Sequence, residues 1–288
     1  ENGNYVGKGF GRIGEYRQGF GDLTVREILV HSSNIGMAKI GQRLGKERLY
    51  EGLKFFGFGR KTGIDLPGEA EGLLRPISQW TGYSVTRIPF GQEISVTAIQ
   101  LVQAFCILAN GGHLIHPYLV KAMVDNDGEI VMLKRPPPPI GYIVRPEIAK
   151  WIVTEALTGV VNKGTGQKAK LDKWQVFGKT GTAQLANEEV RRESGDFAPN
   201  RRRGGYAENA YIASFMAGAP AEKPAVIVLV SIRRPNVKLG KGYTGGTVAA
   251  PVVAVILEKT LNYLGIQSDI TAPKRKDHLW VSSESSNP

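Results

Sequence analysis

The stretch Trp174-Gln-Val-Phe-Gly-Lys-Thr-Gly-Thr-Ala-Gln184 decides the reading of this chain, because it sets a lysine and two hydroxyls inside a strand-like run. Extended backbone alternates its side chains with a period of two, so Thr180 and Thr182 share one face and Lys179 takes the other. Glycine weakens a strand interior and is expected where another chain must come close. Gly178 and Gly181 bracket the Lys-Thr pair, and Gly181 leaves room between the hydroxyls for a ligand's backbone. A phosphate loop is excluded, since a Walker A motif needs glycine five positions before its Gly-Lys pair and position 173 is Lys.

The 288 residues are 42% hydrophobic and 22% charged, which suffices for one large core or two smaller ones. Thirty-seven basic against 26 acidic side chains give a formal charge of +11, a balance that favours encounter with anions. Part of that excess is local, in Arg191-Arg192, Arg201-Arg202-Arg203 and Lys274-Arg275-Lys276. Without aromatic interleaving or a recognition motif these read as solvated loops and tail, and nucleic acid is not expected as a partner. The single Cys106 rules out an internal disulfide. Apolar runs such as 225–230 and 248–257 fall short of the ~20 residues that cross a bilayer. His113 and His116 have metal-like spacing, but no Cys or third His joins them, so neither metal nor cofactor is expected.

Along the chain, residues 1 to 22 read as an irregular entry. Thr24 and Glu27 form a capping-box pattern for a helix over 25–30. Met37, Ile40 and Leu44 then mark a helix over 35–44 that Gly45 stops, with Ser32-Ser33-Asn34 as the turn before it and Asn34 a natural N-cap. A further helix over 46–56 precedes an extended excursion over 62–80. Ser95 opens a helix whose apolar face is Ala98, Ile99, Val102, Phe105, Cys106 and Ala109. Segments 118–124 and 129–133 form a small hairpin, and four prolines at 136–139 a stiff connector. A helix from Pro146 to about Val161 turns Ile148, Trp151, Ile152 and Ala156 inward, and Gly164-Thr-Gly166 makes a turn. Strands over 210–218 and 225–233 follow, then a helix over about 246–264 and a polar tail from Ile266 expected to be disordered. Consecutive strands without a helix between them predict an antiparallel sheet.

Two polar constellations, Ser32-Ser-Asn34 at a turn between helices and Lys179-Thr-Gly-Thr182 on a strand, match the S-x-N and K-T-G parts of the set that marks serine acyl-transfer enzymes. Gly57-Phe-Gly59 through Thr62-Gly-Ile-Asp-Leu-Pro-Gly68, Phe90-Gly-Gln92 into Ile94-Ser-Val-Thr97, Leu108-Ala-Asn-Gly-Gly112 and Gly164-Thr-Gly166 extend the match. Over residues 1–265 the chain resembles the transpeptidase domain of class B penicillin-binding proteins. That resemblance implies an α+β fold, an antiparallel sheet flanked by helices plus an all-helical cluster. No S-x-x-K occurs in the 288 residues. The nucleophile motif and two further strands are therefore expected upstream of Glu1, which makes the domain N-terminally incomplete.

The resemblance also implies a reaction. A serine from the S-x-x-K segment attacks a donor stem peptide, and its lysine takes the proton. Ser32 relays that proton, Lys179 holds its hydroxyl, and Asn34 bonds the peptide amide. Gly181 gives the room, Thr180 and Thr182 hold the terminal carboxylate, and the Thr182 amide is an oxyanion donor. Implied partners are peptidoglycan stem peptides, β-lactam antibiotics and membrane proteins of cell division or elongation. The implied place is the extracytoplasmic side of the cell inner membrane. A β-lactam sensor or hydrolase of the same fold, and a non-catalytic peptide-binding module, are the alternatives. Lys179 serves the same site as the threonines only if its strand lies at the sheet's edge.

Overall fold

The computed structural model describes residues 3–17, 19–135, 138–187, 205–240 and 242–270. The arginine runs at 191–192 and 201–203, the Lys-Arg-Lys run and the first two prolines of the connector, 136 and 137, lie outside that set. The chain opens on a hairpin, β1 (Asn4–Gly7) against β2 (Gly11–Gly14), where an irregular entry was expected. Phe10 and Ile13 of this hairpin are buried against Ile35 and Ala38, which is what orders it.

Helix α1 (Val25–His31) starts at the expected Thr24–Glu27 capping box. Helix α2 (Asn34–Phe55) is broken at Gly45, whose φ of 76° and ψ of 165° separate the two helices expected there. Its cap is Ser33, which accepts from the Gly36 amide, so Asn34 is the first helical residue and its side chain is free of capping. After the short α3 (Gly82–Arg87), α4 (Ala98–Ala109) is capped two residues later than expected, because Thr97 and Gln100 form the capping box rather than Ser95. Its buried residues are Gln100, Gln103, Phe105 and Ile107, while Ala98 is exposed. The Gln100 amide nitrogen donates to the carbonyls of Arg60 (2.7 Å) and Glu71 (2.9 Å), so a buried amide ties down the extended excursion.

The small hairpin pairs β3 (Ala122–Val124) with β4 (Ile130–Leu133), its first strand shorter than expected. Helix α5 (Pro146–Trp151) runs through a π-helical stretch (Ile152–Leu157) into α6 (Thr158–Asn162). Ala149, Val153, Ala156, Leu157 and Val160 face inward; Ile148 and Trp151 are each 38% exposed, contrary to expectation. The small Ala149 lets the helix sit close, and the wider π turns shift which residues follow it into the core.

The main sheet has the order β5-β6-β7, all antiparallel: β5 (Phe177–Ala186), β6 (Tyr206–Ala219) and β7 (Val226–Arg233). Register places Thr180 opposite Phe215 and Lys179 opposite Met216, which sends the two side chains to different faces. On Phe215's face, Trp174, Val176, Ala217 and Ala219 pack with Ala250, Val253, Leu257 and Leu261 of α7 (Ala250–Tyr263), a helix entered through a π turn over Gly245–Ala249. The other face packs Phe177 on Phe105, with ring centroids 5.5 Å apart. Helices thus cover both faces, and β5 is an outer strand.

The tail differs from expectation in its first residues. Ile266 packs on the α7 core, the Trp174 indole donates to the Gln267 carbonyl at 3.0 Å, and Asp269 accepts from the Gln175 amide at 2.8 Å. The remainder, from 271, lies outside the described residues, as do most residues of the 187–208 loop.

Candidate active site

Ser32 ends α1 in the left-handed region, with φ 56° and ψ 47°, and its amide reaches back to the carbonyls of Ile28 and Leu29. Non-glycine residues adopt that region uncommonly, so the turn must be held from outside. It is held on both sides. The α1 helix is pressed onto the α5–α6 segment, where a Cβ on Gly159 would lie 2.7 Å from Val30 Cγ2 and one on Gly164 would lie 2.2 Å from the Val30 carbonyl oxygen. On the α2 side, Glu15 takes the Ser33 hydroxyl and the Ile35 amide on one carboxylate oxygen and the Asn34 amide on the other. Asn34 Nδ2 donates to the Gly14 carbonyl at 3.0 Å, leaving Oδ1 and a second amide hydrogen for a ligand.

Lys179 comes to this turn from the sheet. Its Nζ donates to Ser32 Oγ at 2.7 Å, across 147 residues of sequence, and to the Thr180 carbonyl at 3.1 Å. Both acceptors are neutral, so they leave its positive charge uncompensated. Burial strips the ammonium of water and brings its pKa down to about 8. The edge position that the alternation demanded is therefore real: β5 is outermost, and the lysine turns over its rim.

On the opposite face, Thr180 Oγ1 is 2.7 Å from Thr165 Oγ1, in the Gly164-Thr-Gly166 turn. Thr182 Oγ1 accepts from the Gly245 amide at 3.2 Å, so its own proton remains to be donated. Gly245 begins the helical run into α7, whose N-terminal end carries partial positive charge. Only glycine fits there, because a Cβ would lie 1.9 Å from the Ser214 carbonyl oxygen. Gly178 is likewise structural, with a Cβ meeting Ala217 and Phe215 at 2.9 Å. Gly181 is different. A Cβ there would make ordinary contact with Ser214 Cβ at 3.6 Å, so packing does not require glycine. Since residues of an antiparallel strand turn their backbone groups alternately toward and away from the partner, the Thr182 amide points the way the Thr180 carbonyl does, to the open rim.

Ser32, Asn34, Lys179, Thr180, Gly181 and Thr182 are thus arranged along one rim. Glu15, Thr165 and Gly245 join them without having been singled out from the sequence. Thr165 had a signal, its place between two glycines; Glu15 had none, lying 18 residues from Ser33 in a stretch without period.

A family profile described as the penicillin binding protein transpeptidase domain matches residues 2–258. The chain belongs to the penicillin-binding protein transpeptidase family. Stage V sporulation protein D of Bacillus subtilis is 39% identical over 251 residues, 87% of this chain and 36% of that protein. The probable peptidoglycan D,D-transpeptidase PenA of Neisseria meningitidis is 32% identical over 244 residues, 85% of this chain and 37% of its own. Among solved structures, penicillin-binding protein 3 of Mycobacterium tuberculosis complexed with ampicillin superposes with a TM-score of 0.78 at 29% identity, covering 94% of this chain and 58% of that one. The apo transpeptidase domain of Burkholderia pseudomallei penicillin-binding protein 3 gives 0.75, also at 29% identity, covering 94% of this chain and 72% of that one. The chain spans little more than a third of the length of these two relatives. No described helix is long and apolar enough to cross a membrane.

Proposed function

We propose that residues 1–265 supply the substrate-holding and proton-relay side of a serine-type peptidoglycan D,D-transpeptidase. The observation that carries this is the 2.7 Å bond from Lys179 Nζ to Ser32 Oγ, which joins the two motifs at one rim. The attacking serine belongs to an S-x-x-K segment outside these 288 residues. It adds to the penultimate D-alanine carbonyl of a donor stem peptide laid along β5, and the terminal D-alanine leaves with a proton passed through Ser32. Lys179 fixes the Ser32 hydroxyl and keeps the field positive. Asn34 holds the peptide amide, and Gly181 admits its backbone. Thr180 and Thr182 bind the terminal carboxylate beside the positive helix end at Gly245. The outward Thr182 amide receives the developing oxyanion, a donor whose loss typically costs ~10²-fold or more in rate. An acceptor stem-peptide amine then takes the acyl group.

Penicillin-binding protein 3 of Mycobacterium tuberculosis has been solved with ampicillin and with aztreonam, and we place β-lactams along this rim as donor mimics. The same reading puts the domain on the extracytoplasmic side of the inner membrane, working with division or elongation membrane proteins. Fluorescent penicillin should label the full-length protein covalently. Lys179→Ala should abolish labelling while the circular dichroism spectrum is kept; labelling as strong as the parent's would remove Lys179 from the site. The 288-residue segment alone should stay unlabelled.

A further inference from the structure

Ser32 is the residue of the rim whose backbone is least at ease, and the group that steadies it lies outside every motif. Glu15 follows directly on β2, with its amide donating to the Gly3 carbonyl at 3.2 Å. The hairpin behind it is anchored by Phe10 and Ile13 in the core shared with Ile35 and Ala38. From this fixed position the carboxylate meets the start of α2. It takes the amides of Asn34 and Ile35, each at 3.0 Å, together with the Ser33 hydroxyl. Those are among the donors a helix leaves unsatisfied at its first turn, and a negative charge is favoured there. Ser33 is itself buried, and its oxygen accepts from Gly36 at 2.9 Å. The carboxylate therefore fixes the two residues after Ser32, and the Gly14 carbonyl beside it fixes the Asn34 side chain.

We propose that Glu15 is a positioning residue for acyl transfer: by clamping Ser33, Asn34 and Ile35 it holds Ser32 in the left-handed conformation that brings its hydroxyl to Lys179. Glu15 touches neither substrate nor reacting atoms. The inference rests on the assignment of Ser32 and Lys179 to the site. A glutamine at 15 keeps the volume and one acceptor oxygen but turns an NH₂ toward donors that need an acceptor, so the turn loosens without a cavity. Misplacement of a catalytic group by about 1 Å can cost ~10²-fold.

The test uses the full-length protein and fluorescent penicillin, with the acylation rate constant and the labelled fraction measured separately. Glu15→Gln should lower the limiting acylation rate at least tenfold, leave the affinity of the pre-acylation complex within about twofold, and keep the labelled fraction near that of the parent. A purely structural role would instead lower the labelled fraction and leave the rate constant of the surviving molecules alone, and that result overturns the proposal. If Glu15→Gln yields no folded protein, Glu15→Asp, which keeps the charge on a shorter arm, is judged by the same two numbers. Lys179→Ala measured alongside separates the two levels: full labelling of Lys179→Ala removes the site assignment and this inference with it, whereas loss there with an unchanged Glu15→Gln rate removes Glu15 alone.

Discussion

At the residue scale the proposed chemistry turns on one ammonium. Lys179 has lost enough water for its pKa to fall to about 8, yet it remains mostly charged at neutral pH. Its proposed work needs that charge. Deprotonation as pH rises through about 8 removes both the charge that strengthens the bond to Ser32 and the field that favours a carboxylate. Acylation of the full-length protein should therefore decline on the alkaline side with a midpoint near 8, as read from the rate constant between pH 6 and 10. A flat profile across that window would show that the charge is not used. Lys179 and Ser32 were legible in the sequence because their neighbours are: glycines around the lysine and an interhelical Ser-Ser-Asn turn are local signals. Glu15 was not legible, because it acts on residues 18 to 20 positions away through a hairpin that no pattern announced.

At the element scale, pieces marked by alternation or by a capping box were read correctly, and pieces whose apolar contacts are few or made by small side chains were not. The three strands and α1 follow alternation and a capping box. The β1–β2 hairpin has four-residue strands rich in glycine, and only Phe10 and Ile13 speak for it. The inward stripe of α5 was misplaced because bulky Ile148 and Trp151 look more like core than Ala149 does. The β3–β4 hairpin depends on a charge. Asp65 accepts from the Leu119 and Val120 amides and from Lys134 Nζ, and the lysine's bond foremost brings its pKa down to about 2. A carboxylate with a depressed pKa contributes stability above its ordinary value of 3.8, and that contribution is lost as pH falls toward 2. Asp65→Asn should accordingly speed hydrogen exchange at the Leu119 and Val120 amides at pH 6, and the difference from the parent should vanish near pH 2. Equal exchange at pH 6 would show that Asp65 does not hold the hairpin.

For the whole molecule, the first residues of the polar tail, 266 to 270, proved the least readable of the described part. Its composition argues for disorder, yet residues 266 to 270 are fastened by backbone carbonyls and one carboxylate to the segment that leads into β5. Such bonds leave no hydrophobic period to recognise. Trp174 is 2% exposed, and ending the chain at 265 would leave its indole N–H without the Gln267 carbonyl. The cut also takes away the apolar cover of Ile266, and a lost hydrogen bond typically costs about 0.5–1.5 kcal/mol. The full-length protein cut after Gly265 should melt several degrees lower than the parent, by calorimetry, and an unchanged Tm would mean that these residues do not dock in solution.

The tight seat of α1 reaches further than its size suggests. A side chain at Gly159 or Gly164 must push Val30 aside, and Val30 lies two residues before the serine whose hydroxyl meets the lysine. If the proposed placement of β-lactams holds, positions that no antibiotic would contact are coupled to how readily the drug is captured, and tolerance to it has a route that leaves the binding surface itself unaltered.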